Sequence, residues 1–264
     1  MLKGYRHKFY RKKFMSSYHY IKQRICSHHL VGSIITCFFS ATSLAQNKPP
    51  DIILIMADDM GYSDLGCYGG EISTPFLDSL ASKGLRFTQF YNAGRSCPSR
   101  ASILTGLYSH QAGVGYMVTD LGKKAYQGRI NEKCITLAEV LRNSGYQTFI
   151  SGKWHVSPFD YGNQEHSPYP ETWPIQRGFD GFFGNLAGAC SYYDPVSLMR
   201  DNAFITVEDS NFYYTDAISD EAASFIMQAD PDRPLFLYLA FTAPHWPLHA
   251  PEELISKYEG AYSS

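Results

Sequence analysis

The chain has 264 residues, enough for one large α/β domain or two small ones, and at 44% hydrophobic and 18% charged residues its composition is that of a soluble globular protein. Its formal net charge of −2 conceals a split: residues 1–45 hold eight of the 23 Lys and Arg and none of the 25 Asp and Glu. The remainder is acidic by ten charges, which argues against nucleic acid as a partner.

The cationic start reads as a targeting segment. Residues 1–29 are polar and basic, LVGSIITCFFSATSLA (30–45) is apolar, and Ser43-Leu44-Ala45 places small residues at the −3 and −1 positions before Gln46. That is the order of a secretory signal peptide. Residues 1–45 are therefore expected to be a leader, with residues 46–264 as the exported, folded domain. An uncleaved anchor is the alternative, and Met15 is a second candidate start. The leader is the one expected contact with a membrane. Cys26 and Cys37 go with it. Cys67, Cys97, Cys134 and Cys190 remain, and their spacing neither fixes a disulfide pairing nor suggests zinc.

In chain order, DIILIMA (51–57) reads as a buried parallel strand. DDMGYSDLGCYGG is a Gly-rich loop. Thr74 as N-cap and Pro75 at the first helical position open a helix that Gly84 stops. LRFTQFYN (85–92) reads as a strand, and Ser99 to Gly106 as a short helix after a tight loop. TLAEVLRNSG (136–145) is a helix, YQTFISG (146–152) a strand, DAISDEAASFIMQ (216–228) a helix and PLFLYLAF (234–241) an apolar strand. Strands alternate with helices, so the expected class is α/β with a mostly parallel central sheet flanked by helices. Ligands of open α/β sheets bind at the carboxyl ends of the strands. Three strands end in polar clusters: Asp58-Asp59, Gly152-Lys153-Trp154-His155 and Pro244-His245.

Two adjacent carboxylates repel unless a cation sits beside them. A hard metal such as Ca²⁺ or Mg²⁺ takes oxygen ligands and would serve. A helix cap plus one solvated carboxylate is the plainer alternative. Lys153 and His155 stand two apart, and on an extended segment they point the same way. His245 lies in APHWPLHAP, where prolines make a stiff, non-helical loop. His249, four residues on, competes with it, while His110 and His166 are read as structural. The stretch RSCPSRASILTG (95–106) offers Ser96, Cys97, Ser99 and Ser102 as nucleophiles. None lies in a G-x-S-x-G elbow, and no base is local.

SCPSRASILTG resembles the activation motif of the sulfatase family. In that motif a Cys or Ser is oxidised to formylglycine (3-oxoalanine), with Pro two places later, Arg four places later and Leu-Thr-Gly beyond. Pro98 and Arg100 fit Ser96 and not Cys97, so the chain resembles serine-type bacterial sulfatases. DDMGYSDLGCYGG, TPFLDSLASKGLRFTQFYNAG, LTGLYSHQAGVG, GKWH, RGFDGFFG and APHWPLHAPEELISKY are similar to sulfatase segments in sulfatase order, from Pro50 to the C-terminus.

The resemblance implies an alkaline-phosphatase-like fold and an arylsulfatase-type sulfuric ester hydrolase, periplasmic or secreted, acting on a sulfated small molecule or glycan. It implies that a radical sulfatase-maturing enzyme acts on Ser96. It makes Asp58, Asp59 and residue 96 metal ligands, with calcium favoured. It gives Arg100 the task of positioning the hydrated aldehyde, Lys153 that of neutralising sulfate oxygens, His245 that of protonating the leaving oxygen and His155 that of taking a proton from residue 96. The family also draws an Asp-Asn pair and a Lys from segments beyond the APH loop. The sequence ends at Ser264 before them, so the catalytic domain is expected to be incomplete, as a fragment or a truncated product. Two rival readings are a phosphomonoesterase or phosphonate hydrolase of the same superfamily, and an inactive protein that binds sulfated glycans.

Overall fold

The computed structural model describes residues 48–161 and 168–261. The expected leader lies outside the described residues. Six strands form one sheet: β1 (Ile52–Asp58), β2 (Gln147–Gly152), β3 (Gly181–Asn185), β4 (Leu198–Arg200), β5 (Ala203–Phe204) and β6 (Leu235–Pro244). Their order is β1-β6-β2-β3-β4-β5. The pairs β1–β6, β6–β2 and β2–β3 are parallel, while β4 and β5 add antiparallel to β3. The mostly parallel α/β class therefore holds, with an antiparallel margin.

The helices are α1 (Pro75–Lys83), α2 (Ser96–Thr105), α3 (Leu137–Asn143), α4 (Tyr214–Gln228) and α5 (Glu252–Ile255). Successive residues of β6 face opposite sides of the sheet, and two cores result. Phe236, Tyr238 and Ala240 join Ile150, Phe182, Leu104 and Trp154 on one side. Leu239 and Phe241 pack toward Tyr214 and Ile218 of α4 on the other. The start of α3 is secured by a reciprocal cap: Thr136 Oγ1 accepts from Glu139 N at 3.1 Å, and Thr136 N donates to Glu139 Oε2 at 2.6 Å.

Four expectations are corrected. β1 is an edge strand, not one buried on both faces. Ile52, Leu54 and Met56 pack against the first core, while Ile53 and Ile55 are each 49% exposed. Composition marks a strand as apolar, but strand order decides whether both faces are covered. Residues 85–92 form no strand, since a strand needs a partner edge and this segment finds none among the described residues. It is tied instead by side chains, with Tyr68 Oη donating to Phe87 O at 3.0 Å. Thr74 does precede α1, but its hydroxyl donates to the Asp78 side chain and accepts from Gly66 N, each at 2.9 Å, rather than capping an N–H of the helix, and Gly84 ends the helix in an extended conformation. Finally, α2 begins at Ser96, three residues before the expected start. Pro98 falls in its first turn, where no intrahelical N–H is needed.

The parallel pairing of β2 with β6 leaves no room at Gly152, which stands opposite Ala240. Its φ is 113°, and a Cβ there would lie 2.0 Å from the Ala240 carbonyl oxygen. That oxygen also accepts from Lys153 N at 2.8 Å. Gly152→Ala is therefore expected to destabilise the domain by more than about 2 kcal/mol. Urea denaturation followed by circular dichroism measures it, and a midpoint equal to the parent's would contradict this account.

Candidate active site

β6 separates β1 from β2, so the carboxyl ends of these three strands lie side by side. Asp58 closes β1 and is 4% exposed. Asp59 follows with φ 64°, in the left-handed region, and its side chain is 62% exposed. The paired acids thus separate into one buried and one solvent-facing carboxylate.

Two buried cations meet Asp58. Lys153, which follows β2 directly, donates from Nζ to Asp58 Oδ2, and Arg100 Nη2 lies 3.3 Å from Asp58 Oδ1. Both cationic side chains are fully buried. Arg100 comes from α2, with Nη1 donating to Lys153 O at 2.9 Å and to Tyr238 Oη at 3.3 Å. Its Nε donates to Ser96 Oγ at 3.2 Å. Ser96 Oγ also lies 3.1 Å from His155 Nδ1.

The electrostatics follow from burial and these contacts. Burial pushes the Asp58 carboxyl up, but Arg100 and Lys153 outweigh it and hold it below the ordinary carboxylate value. Burial, then Arg100, lower the Lys153 ammonium against the pull of Asp58. Burial, Lys153 and Arg100 press His155 well below the ordinary imidazole value. His155 is thus neutral near pH 7, with one ring nitrogen able to accept a proton.

His245 stands after β6 with Nε2 3.5 Å from Asp59 Oδ2, and its Nδ1 pairs with Trp246 O. Tyr192 Oη anchors this loop through the carbonyls of Thr242 and His245, at 2.9 and 2.7 Å. His249 is elsewhere. Its Nδ1 accepts from Tyr192 N at 3.3 Å, and its ring lies 5.3 Å from that of Tyr193. His110 packs edge-on to Tyr126, and His166 lies outside the described residues.

Asp58, Ser96, Arg100, Lys153 and His155 therefore converge on one point, with Asp59 and His245 paired beside them. The route differs from the expected one. Lys153 and His155 do not share an extended segment, because His155 takes φ 53°. Lys153 reaches β1 and His155 reaches α2. Sequence reasoning missed three supports. Cys97 Sγ lies 3.2 Å from His155 Nε2. Tyr238 braces Arg100 from the middle of β6. Gly188 lies against the imidazole, where a Cβ would stand 2.2 Å from Nε2. The glycine in NLAGAC was a visible signal for the last; the other two depend on long-range packing.

The fold and this strand-end cluster define an alkaline-phosphatase-like α/β protein, the fold of the solved sulfatases it resembles. The family model for sulfatases matches residues 50–264. Arylsulfatase of Klebsiella aerogenes is 37% identical over 232 residues, 83% of this chain and 48% of that protein. Human N-acetylgalactosamine-6-sulfatase is 34% identical over 224 residues, 77% of this chain and 41% of that one. Ps i-CgsB, solved in complex with k-i-k-neocarrahexaose, superposes with a TM-score of 0.70 at 31% identity, over 82% of this chain and 50% of that one. BT4656, solved with its substrate D-glucosamine-2-N,6-O-disulfate, gives 0.64 at 30% identity, over 82% and 39%. The chain belongs to the sulfatase family. It spans about half the length of the curated relatives it matches.

The family generally uses a formylglycine and a divalent metal. The residues here fit a hard cation in kind, since Asp58, Asp59 and residue 96 offer oxygen donors. They do not complete a shell: among the described residues no group of three His, Cys, Asp or Glu is placed to hold a metal. The cation that two adjacent carboxylates require is met in part by Lys153 and Arg100.

All four described cysteines are free thiols. Burial pushes Cys97 up to about 11, against Lys153 and Arg100, and pushes Cys190 up to about 12. Cys67 is half-buried. Iodoacetamide at pH 8 is therefore expected to label Cys67 in the native protein and to spare Cys97, Cys134 and Cys190, all four reacting in denaturant. Peptide mass spectrometry reads this, and fast native labelling of Cys97 would reopen the choice of nucleophile.

Proposed function

We propose that this protein is a sulfuric ester hydrolase whose reacting position is residue 96. The observation that carries the reading is the placement of Ser96 Oγ between Arg100 Nε at 3.2 Å and His155 Nδ1 at 3.1 Å. A cation donating to an oxygen while a neutral imidazole accepts from it is what an ionising nucleophile needs.

Sulfate monoesters hydrolyse very slowly unaided, so the site must supply on the order of 20 kcal/mol of transition-state stabilisation. Oxidised to formylglycine, residue 96 would supply a hydrated aldehyde, a nucleophile that can release sulfate where a serine ester cannot. A hard divalent metal held by Asp58 and Asp59, calcium in preference to magnesium by the family resemblance, would add positive charge beside the ester. Arg100 orients the oxygen on residue 96 and favours its ionised form. His155 Nδ1 takes the proton from that residue. Lys153 brings a buried cation to the sulfate oxygens, where low dielectric strengthens it. His245, with Asp59 orienting its ring, hands a proton to the leaving oxygen.

The substrate class we propose is a sulfated glycan or small molecule. Support comes from the neighbours solved with neocarrahexaose and with a glucosamine disulfate. Maturation would fall to a radical enzyme that accepts serine. Export would place the mature N-terminus at Gln46, and N-terminal sequencing of secreted material that retains residues 30–45 would overturn that assignment.

In a host carrying such a maturing enzyme, the peptide containing residue 96 is expected to lose one hydrogen molecule in mass and to react with aldehyde probes. 4-Nitrophenyl sulfate should be turned over and 4-nitrophenyl phosphate far less. Ser96→Ala should abolish turnover while Cys97→Ala retains it. Sulfate ester turnover with Ser96 unmodified, or preferred phosphate turnover, would refute the reading.

A further inference from the structure

Resting on the assignment of residue 96, we infer that Arg95, held over the Tyr116 ring, forms a subsite for a second anionic group of the substrate, a sulfate or carboxylate carried beside the scissile ester on the same glycan. Arg95 is the residue immediately before Ser96 and takes the extended N-cap conformation of α2, φ −143° and ψ 153°. Consecutive Cα atoms stand about 3.8 Å apart. Its side chain therefore leaves the backbone at the turn that carries the reacting position.

The guanidinium carbon lies 4.8 Å from the centroid of Tyr116. Held over the ring, the guanidinium spends no N–H donor on a protein acceptor. Among the described residues no carboxylate pairs with Arg95, and its side chain makes no hydrogen bond. The nearest acid on the Tyr116 segment, Asp120, is committed to Arg129 at 3.4 Å and to Gly122 N at 2.8 Å. Asp58 is committed to Lys153 and Arg100. Arg95 is exposed, so it forgoes no buried partner by waiting for one from the ligand.

The platform is built rather than incidental. Gly115 N donates to Ala125 O at 2.9 Å, and a Cβ at Gly115 would lie 2.7 Å from His110 Cδ2 and 2.8 Å from that same oxygen. On the other side of Tyr116, Met117 Sδ receives Cys97 Sγ at 3.8 Å. The residues on both sides of Tyr116 are thus tied down, and one of those ties runs to the residue after Ser96. Arg95, against Tyr116, thus offers free N–H donors from the position immediately before the reacting residue in sequence. A planar carboxylate or sulfate edge accepts two N–H bonds from a guanidinium fork. A monosulfated aryl ester has nothing to offer it.

The test is calorimetric titration of the unmatured chain, which reads binding without turnover. D-Glucosamine-2-N,6-O-disulfate is compared with D-glucosamine-6-O-sulfate. The disulfated sugar is expected to bind about tenfold more tightly. Arg95→Gln should bring its affinity down to that of the monosulfated sugar. Arg95→Lys should recover only part of the difference, because an ammonium lacks the fork. Tyr116→Leu should lower the preference while Arg95 remains. Melting temperatures matching the parent's show that each variant is folded. A preference that survives Arg95→Gln, equal affinities in the parent, or no binding of the disulfated sugar would each overturn the proposal. The hydrolytic reading fails separately: a chain with an Arg95-dependent preference that, once matured, shows no Ser96-dependent turnover keeps the subsite and loses the reaction.

Discussion

One buried carboxylate organises this site. Asp58 ends an edge strand, yet it is covered, because Lys153 from the neighbourhood of β2 and Arg100 from α2 both close on it. Neither cation could be buried alone at tolerable cost, and the carboxylate could not be buried without them. Removing one partner of such a cluster leaves an uncompensated charge, which typically costs about 3–5 kcal/mol. The same three residues therefore fix the spacing of β1, β2 and α2 and leave a surplus of positive charge under Ser96. Arg100 Nη2 still lacks a hydrogen-bond partner of good geometry. A buried cluster with more cationic than anionic charge and an unspent donor suits an anionic group.

The backbone around this cluster is held in conformations that ordinary residues avoid. Asp59 and His155 both have positive φ, and neither is glycine. Each costs on the order of 1 kcal/mol or more and persists only where the surroundings over-determine it. The surroundings do so here. The His155 ring is confined by Gly188, Cys97 and Ser96, and the backbone N–H of His155 donates to Leu186 O at 3.2 Å. At Asp59 the strained turn separates two carboxylates that would otherwise repel, sending one inward to the cations and the other outward to His245. Strain at these strand ends is therefore coupled to the charge arrangement.

Much of this was legible in the chain. The apolar runs at 51–57, 146–152 and 234–241 became β1, β2 and β6, and the polar clusters that follow them met, as parallel strands require. What could not be read was any property set by long-range order. Ile53 and Ile55 look as buried as Ile52 and Leu54 until β1 is known to lie at the edge. LRFTQFYN is rich in aromatic residues like a strand but has no partner among the described residues. GFFGN and LMR are too short and too rich in glycine or charge to announce a pair. Asp58-Asp59 required a cation, and the chain's own Lys153 and Arg100 supply part of it from about 95 and 40 residues away in sequence.

The choice between Ser96 and Cys97 shows how a spacing rule becomes geometry. At 3.6 residues per turn, positions four apart on a helix share a face. Ser96 and Arg100 are such a pair, and Arg100 Nε reaches Ser96 Oγ because of it. Cys97, Ala101 and Leu104 fall on the adjoining face at i, i+4 and i+7, and all three are fully buried in the first core. One step along the chain therefore turns a side chain from the Arg100 Nε and His155 Nδ1 that meet Ser96 Oγ into the first core, where Cys97 Sγ meets the other ring nitrogen, His155 Nε2, at 3.2 Å. Pro98 fits both demands, since in the first turn of α2 it costs no intrahelical hydrogen bond and starts the helix where Ser96 needs it. The Ser-x-Pro-x-Arg order is thus the linear form of a single helical turn that sets an oxygen against a guanidinium and points its neighbour at the core.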